Sequence, residues 1–139
     1  MPTRLDVSNQ IEADLKKIDT SHGYNVDVSE VKRGFNKWND FQLKPAIGFI
    51  LQRDIADEQS EGRDTVRWLE YFIYGYTDSS HIGNSDEIYK LLDDVETLLD
   101  SEDFFYKTCC EIGDVEVVEG GVSNPVNSFL LNIRIAYYT

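Results

Sequence analysis

Toward its C-terminal end the chain alternates cleanly between apolar and polar places. Phe129, Leu131, Ile133, Ile135 and Tyr137 fall on one side, and Asn132, Arg134 and Tyr138 on the other. That two-residue period predicts a half-buried strand. Further back, Ile88, Leu91, Leu92, Val95, Leu98 and Leu99 recur at steps of three and four, the spacing of a helix with one continuous apolar face. Asn84 and Glu87 stand three apart as in a capping box, and Asp86 and Glu87 suit the positive end of the helix. Asp93, Asp94, Glu96 and Asp100 are expected in water on the opposite side.

The same reading predicts a first helix from about Val7 to Asp19, with Val7, Ile11, Leu15 and Ile18 on a narrow stripe and Asp6 or Ser8 as cap. Gly23 ends it. Tyr24, Val26 and Val28 alternate with Asn25, Asp27 and Ser29, which predicts a strand. Arg33 to Lys44 reads as a loop whose aromatics, Phe35, Trp38 and Phe41, either fold back on the core or wait for a partner. Pro45 opens a strand, Ala46 to Arg53, with Ile47, Phe49 and Leu51 on one face. The polar run from Asp54 to Asp64 reads as a long mobile hairpin connection. Val66 to Tyr76 is apolar or aromatic on both faces, as a central strand would be, and Trp68 and Phe72 are expected to fill core. Phe104–Tyr106 and Asp114–Val118 are further strand candidates, followed by breaks at Gly120-Gly121 and Asn124-Pro125. The expectation is one α+β domain over residues 1–139. It is a mainly antiparallel mixed sheet with two amphipathic helices packed on one face, because each helix has one stripe to bury.

Composition narrows the function classes. A chain of 139 residues, 41% hydrophobic, has enough apolar material for one core and too little length for two domains. No apolar run approaches the roughly 20 residues of a membrane helix, and the start lacks the pattern of a secretory signal, so a cytoplasmic origin is expected. With 26 acids against 13 bases the net charge is -13, which repels nucleic-acid phosphates and gives no counterion release to drive binding. An acidic protein still suits a place beside DNA where the DNA must pass without sticking. Cys109 and Cys110 are adjacent, so they neither pair with each other on a strand nor assemble a four-ligand zinc set, and they read as reduced packing residues.

Chemistry is sparse. His22 and His81 lie in glycine-containing loops with no second histidine at ligand spacing. Glu30-Val31-Lys32 resembles the short end of a metal-dependent nuclease site, but such a site needs an acid on a neighbouring strand, and Asp19 is expected at a helix end. The acidic run at 54–64 lacks the spacing of a calcium loop. No catalytic residue, metal or cofactor is expected. The eight tyrosines exceed what a core of this size takes up, and rings with a polar tip are favoured at subunit contacts, with Tyr74, Tyr76 and Tyr138 as candidates.

The order of these elements resembles the tail terminator, or tail completion, proteins of tailed bacteriophages, over about Leu5 to Tyr138. The likeness lies in the N-terminal amphipathic helix, the proline-led strand Pro45 to Leu51 with its polar loop, and the aromatic strand feeding a leucine- and acid-rich helix. The alternating strand Ser128–Tyr138 is its most telling piece. The resemblance implies a structural virion protein and not an enzyme. It would form a homohexameric ring, assembled in the host cytoplasm, that caps the tail tube, ends its elongation and offers the head–tail joining surface. The implied partners are further copies of the chain, the major tail tube protein and the head–tail connector or neck protein, with DNA only as passing cargo and no membrane. In that picture Asp54, Asp57, Glu58, Glu61 and Asp64 are candidates for the lumen or the docking surface, and Arg53, Arg63 and Arg67 for pairing with a neighbour's acids. Two alternatives stand beside it: another neck, head-completion or minor tail protein, and a small acidic inhibitor that mimics DNA.

Overall fold

The computed structural model describes residues 3–34, 37–56, 66–78, 86–120 and 125–138, with Tyr138 described in its backbone only. Helix α1 (Arg4–Leu15) is followed by strands β1 (Glu30–Arg33), β2 (Ala46–Ala56) and β3 (Val66–Asp78), helix α2 (Asp86–Leu99), and strands β4 (Cys110–Val118) and β5 (Val126–Tyr138). The five strands form one mixed sheet in the order β1-β2-β3-β5-β4. Only β1 and β2 run parallel; every other neighbouring pair is antiparallel. The fold is α+β, as the periodicity predicts.

The core lies between one face of the sheet and the two helices. Val7, Ile11 and Leu15 of α1, with Ile18 just beyond it, and Ile88, Leu91, Val95 and Leu98 of α2 pack on Ile47, Phe49, Leu69, Tyr71 and Ile73. The alternating residues of β5, from Phe129 to Tyr137, complete it. Tyr71 is wholly buried, and its hydroxyl is satisfied by Ser8 at 2.8 Å. Asp14, also buried, holds Lys17, Gln10 and the Phe105 backbone N–H, which ties α1 to the turn before β4.

Several elements differ from the sequence reading, each for a local reason. Helix α1 starts earlier and ends at Leu15; its cap is Thr3, whose hydroxyl accepts from Asp6 N–H while the Asp6 carboxylate accepts from Thr3 N–H. Gly23 does close the next turn, at a φ of 89° that only glycine adopts without strain. Residues 24–29 are not a strand. Val26 is buried as the alternation requires, but the N–H groups of Asn25 and Val26 bond to the Asp94 carboxylate, and that of Val28 to the Ile18 carbonyl, so no ladder forms. Asp94 is therefore buried, not solvated. Phe104–Tyr106 is likewise a series of tight turns, with Phe104 N–H bonded to Ser101 O and Lys107 N–H to Phe104 O. The segment expected to be a loop from Asp54 is still strand through Ala56; Asn84 of the expected capping box lies outside the described residues.

Candidate assembly surface

Both helices sit on one face of the sheet, so the other face shows what the strands alone present. Register places Trp68, Glu70, Phe72, Tyr74 and Tyr76 of β3 along its middle. Ile50 on β2 and Asn132 on β5 stand beside Phe72, and Leu130 of β5 stands beside Tyr74. Part of this face is covered by the chain that links β1 to β2. Phe41 is buried there against Ala46, Tyr74 and Tyr76, and the Tyr74 hydroxyl donates to the Gly34 carbonyl. Phe41 thus folds back on the protein, Trp38 stays exposed beside Lys44, and Phe35 lies outside the described residues. Gly48 is required here, because a Cβ on it would meet the Tyr74 ring at 2.2 Å.

Farther along, the face is open and mixed. Trp68 and Phe72 are only half-buried, which corrects the expectation that they fill core. The Arg134 guanidinium stacks on the Trp68 ring, 4.4 Å from its centroid, and donates to Glu111 at 2.7 Å. Arg53 donates to Glu70 at 2.9 Å. These exposed pairs contribute little to stability; they set the pattern of charge that a partner would meet. A hollow of about 150 Å³ lined by Tyr74, Tyr76, Glu116, Val118 and Leu130 marks the surface toward β4. That is below the roughly 300 Å³ from which small-molecule pockets ordinarily begin.

A bulge in β2 decides where the candidate charges point. Leu51 pairs with Tyr71 but Arg53 pairs with Glu70, so one extra residue on β2 switches the alternation. Arg53 turns to the open face and Asp54 to the helix side. There Asp54 accepts from Arg67 at 2.7 Å, from Tyr137 at 2.9 Å and from Arg4 on α1. Burial alone would push its carboxyl up, but those three hydrogen bonds outweigh it and hold the group below the usual carboxylate range. Tyr137 is pushed up, by burial and by its bond to Asp54. Asp54 is thus a structural clasp between α1, β2, β3 and β5, and Arg53 and Arg67 each find an acid within their own chain. Nothing local in the sequence signals the bulge, so this clasp was not legible. Asp57, Glu58, Glu61, Arg63 and Asp64 lie outside the described residues, as does the side chain of Tyr138; Tyr74 is buried and Tyr76 half-buried.

Glu30 and Lys32 stand on β1 opposite Ala46 and Gly48, and none of the β2 residues paired with β1 is an acid. The Glu30 carboxylate accepts from Gln42 N–H at 3.0 Å, and the Lys32 ammonium donates to the Asp40 carbonyl at 2.6 Å. His22 bonds to Asp19 at 2.7 Å in an exposed turn; His81 lies outside the described residues. Cys109 and Cys110 are free and half-buried, and burial pushes the Cys110 thiol up to about 12. Among the described residues no group of three or more His, Cys, Asp or Glu is arranged to hold a metal ion. No helix among them is long and apolar enough to cross a membrane.

No protein-family model matches this chain, and no curated protein matches its sequence. Its surface must therefore speak for it. The feature that stands out is β4, which among the described residues is paired on one side only and is exposed at seven of its nine positions. The two helices end short of it, leaving Ile112 and Val115 on the helix side 44% and 37% exposed.

Proposed function

We propose that the chain is a structural virion protein of the tail-terminator kind, which closes into a ring of six copies on the end of a phage tail tube. It stops tube growth, presents a joining surface to the head connector or neck, and catalyses nothing. The observation that carries this reading is the one-sided sheet: its helix-free face offers half-buried Trp68, Phe72 and Tyr76, and its outer strand β4 is exposed at seven of its nine positions. A subunit built this way gains burial from neighbouring subunits that it cannot reach alone. The net charge of -13 suits a lumen through which DNA must slide, since carboxylates facing it deny phosphates a foothold.

Electron microscopy of the protein mixed with tail tubes tests it. Rings, or tube ends capped by them, are the expected result. A protein that ignores tubes and instead binds a basic nuclease as a monomer would replace this reading with that of an acidic inhibitor.

A further inference from the structure

The two outer strands of the sheet carry opposite chemistry. Strand β4 and the residue after it hold Glu111, Asp114, Glu116 and Glu119 and no base. The chain that forms β1 and its link to β2 holds Lys32, Arg33, Lys37 and Lys44 against Glu30 and Asp40. In a protein with twice as many acids as bases, this gathers positive charge on one edge alone. Arg33 and Lys32 are anchored within the chain, Arg33 on Glu12 of α1 at 3.0 Å, while Lys37 is solvent-facing.

The exposed large apolar side chains follow the same division. Trp38 and Leu43 stand in the link that follows β1, and Ile112, Val115 and Val118 stand on β4. Phe105 precedes β4, and Tyr89 reaches its far end through a 2.9 Å bond to Glu119. Among the described residues only Leu5, on α1, falls outside these two groups. An edge strand with uncovered apolar residues invites pairing, and natural edges limit the wrong kind with charge. Here the acids of β4 would oppose each other if two β4 edges met, whereas the basic edge relieves them.

Resting on the ring reading above, we infer that β4 of one copy pairs with β1 of the next, so that the sheets of neighbouring copies join edge to edge around the ring. Strand direction agrees. Because β1 and β2 are parallel and each later neighbour reverses, β4 runs opposite to β1. Copies set side by side in one orientation therefore meet as an antiparallel pair. The contact joins two different patches, which is the geometry that yields closed rings where the rotation closes.

Two charge-reversed variants test this. In Asp114→Lys/Glu116→Lys/Glu119→Lys both edges become basic, and in Lys37→Glu/Lys44→Glu both become acidic. Circular dichroism first confirms that each is folded. Analytical ultracentrifugation at up to about 1 mM then reads assembly, since a contact of millimolar affinity shows there. The expected result is that the unaltered protein forms oligomers and each variant alone stays monomeric. An equimolar mixture should assemble again, in particles alternating the two variants. Variants that assemble like the unaltered protein would overturn the edge pairing and leave the ring reading standing. Variants that lose assembly without rescue on mixing would also overturn it. An unaltered protein that stays monomeric at that concentration would end the edge pairing too, while capped tubes in the separate microscopy experiment would still uphold the ring.

Discussion

Replacing Asp94 by alanine isolates what one buried carboxylate does for this fold. It leaves the α2 stripe untouched and removes the acceptor for Asn25 N–H at 3.0 Å, Val26 N–H at 2.9 Å and the Asn25 side-chain amide at 3.0 Å. The Val26 N–H is buried, so losing its partner costs about 1–3 kcal/mol, the penalty for an unsatisfied donor. Asn25 is exposed and its groups can turn to water, so they add only the net value of their bonds, about 1 kcal/mol. The sum is a destabilisation of roughly 2–4 kcal/mol, a large part of the 5–15 kcal/mol typical of a domain. At about 3–4 °C per kcal/mol for a chain of this size, the melting temperature should fall by roughly 6–16 °C. Urea unfolding followed by tryptophan fluorescence and circular dichroism measures it, with Asp93→Ala, exposed on the same helix, as control; that change should stay within about 0.5 kcal/mol. If Asp94→Ala is as stable as Asp93→Ala, the carboxylate does not hold the 24–28 segment, and the account of why that segment is not a strand fails.

Asp54 gives a pH prediction. Its carboxyl titrates lower in the folded protein than in the unfolded chain, so its stabilisation is fully present above the unfolded value near pH 4 and is lost as pH falls through the folded value. Asp54→Asn should therefore flatten the loss of stability below about pH 4, and an unchanged acid slope would count against the clasp. Ile133→Ala, at 1% exposure, should cost about 2–5 kcal/mol. Ile112→Ala, at 44% exposure, should cost under about 1 kcal/mol by the same unfolding assay; equal effects would mean that the core is misplaced. Gly48→Ala should cost about 1–3 kcal/mol by driving a methyl group into the Tyr74 ring. Combining it with Tyr74→Ala should cost less than the two changes summed.

What could be read from the sequence was whatever an element decides within itself. The stripe of α2 and the alternation of β5 are buried as predicted, Leu92 and Ile133 included, because periodicity alone aims those side chains. The misreadings arise where a distant group takes over the backbone. Residues 24–29 alternate like a strand, yet their N–H groups go to a carboxylate on α2 and to the Ile18 carbonyl. Asp94 sits among acids that face water, and only its contact across the fold sets it apart. Trp68 and Phe72 looked like core because β3 is apolar on both faces, although two helices packed on one side leave the other face of that strand without a covering layer. The acids of β4 and the bases of the β1 link can be counted in the sequence; that β4 and β1 are the two outer strands of one sheet cannot.

The central pairing of β3 with β5 has a consequence for how the molecule comes into being. Partners such as Val66 and Tyr138 lie half the chain apart, so the middle of the sheet cannot close until the last strand has been synthesised. The β2–β3 ribbon and both helices must wait for it with their apolar sides unfinished, which favours slow maturation and makes the nascent chain sensitive to crowding.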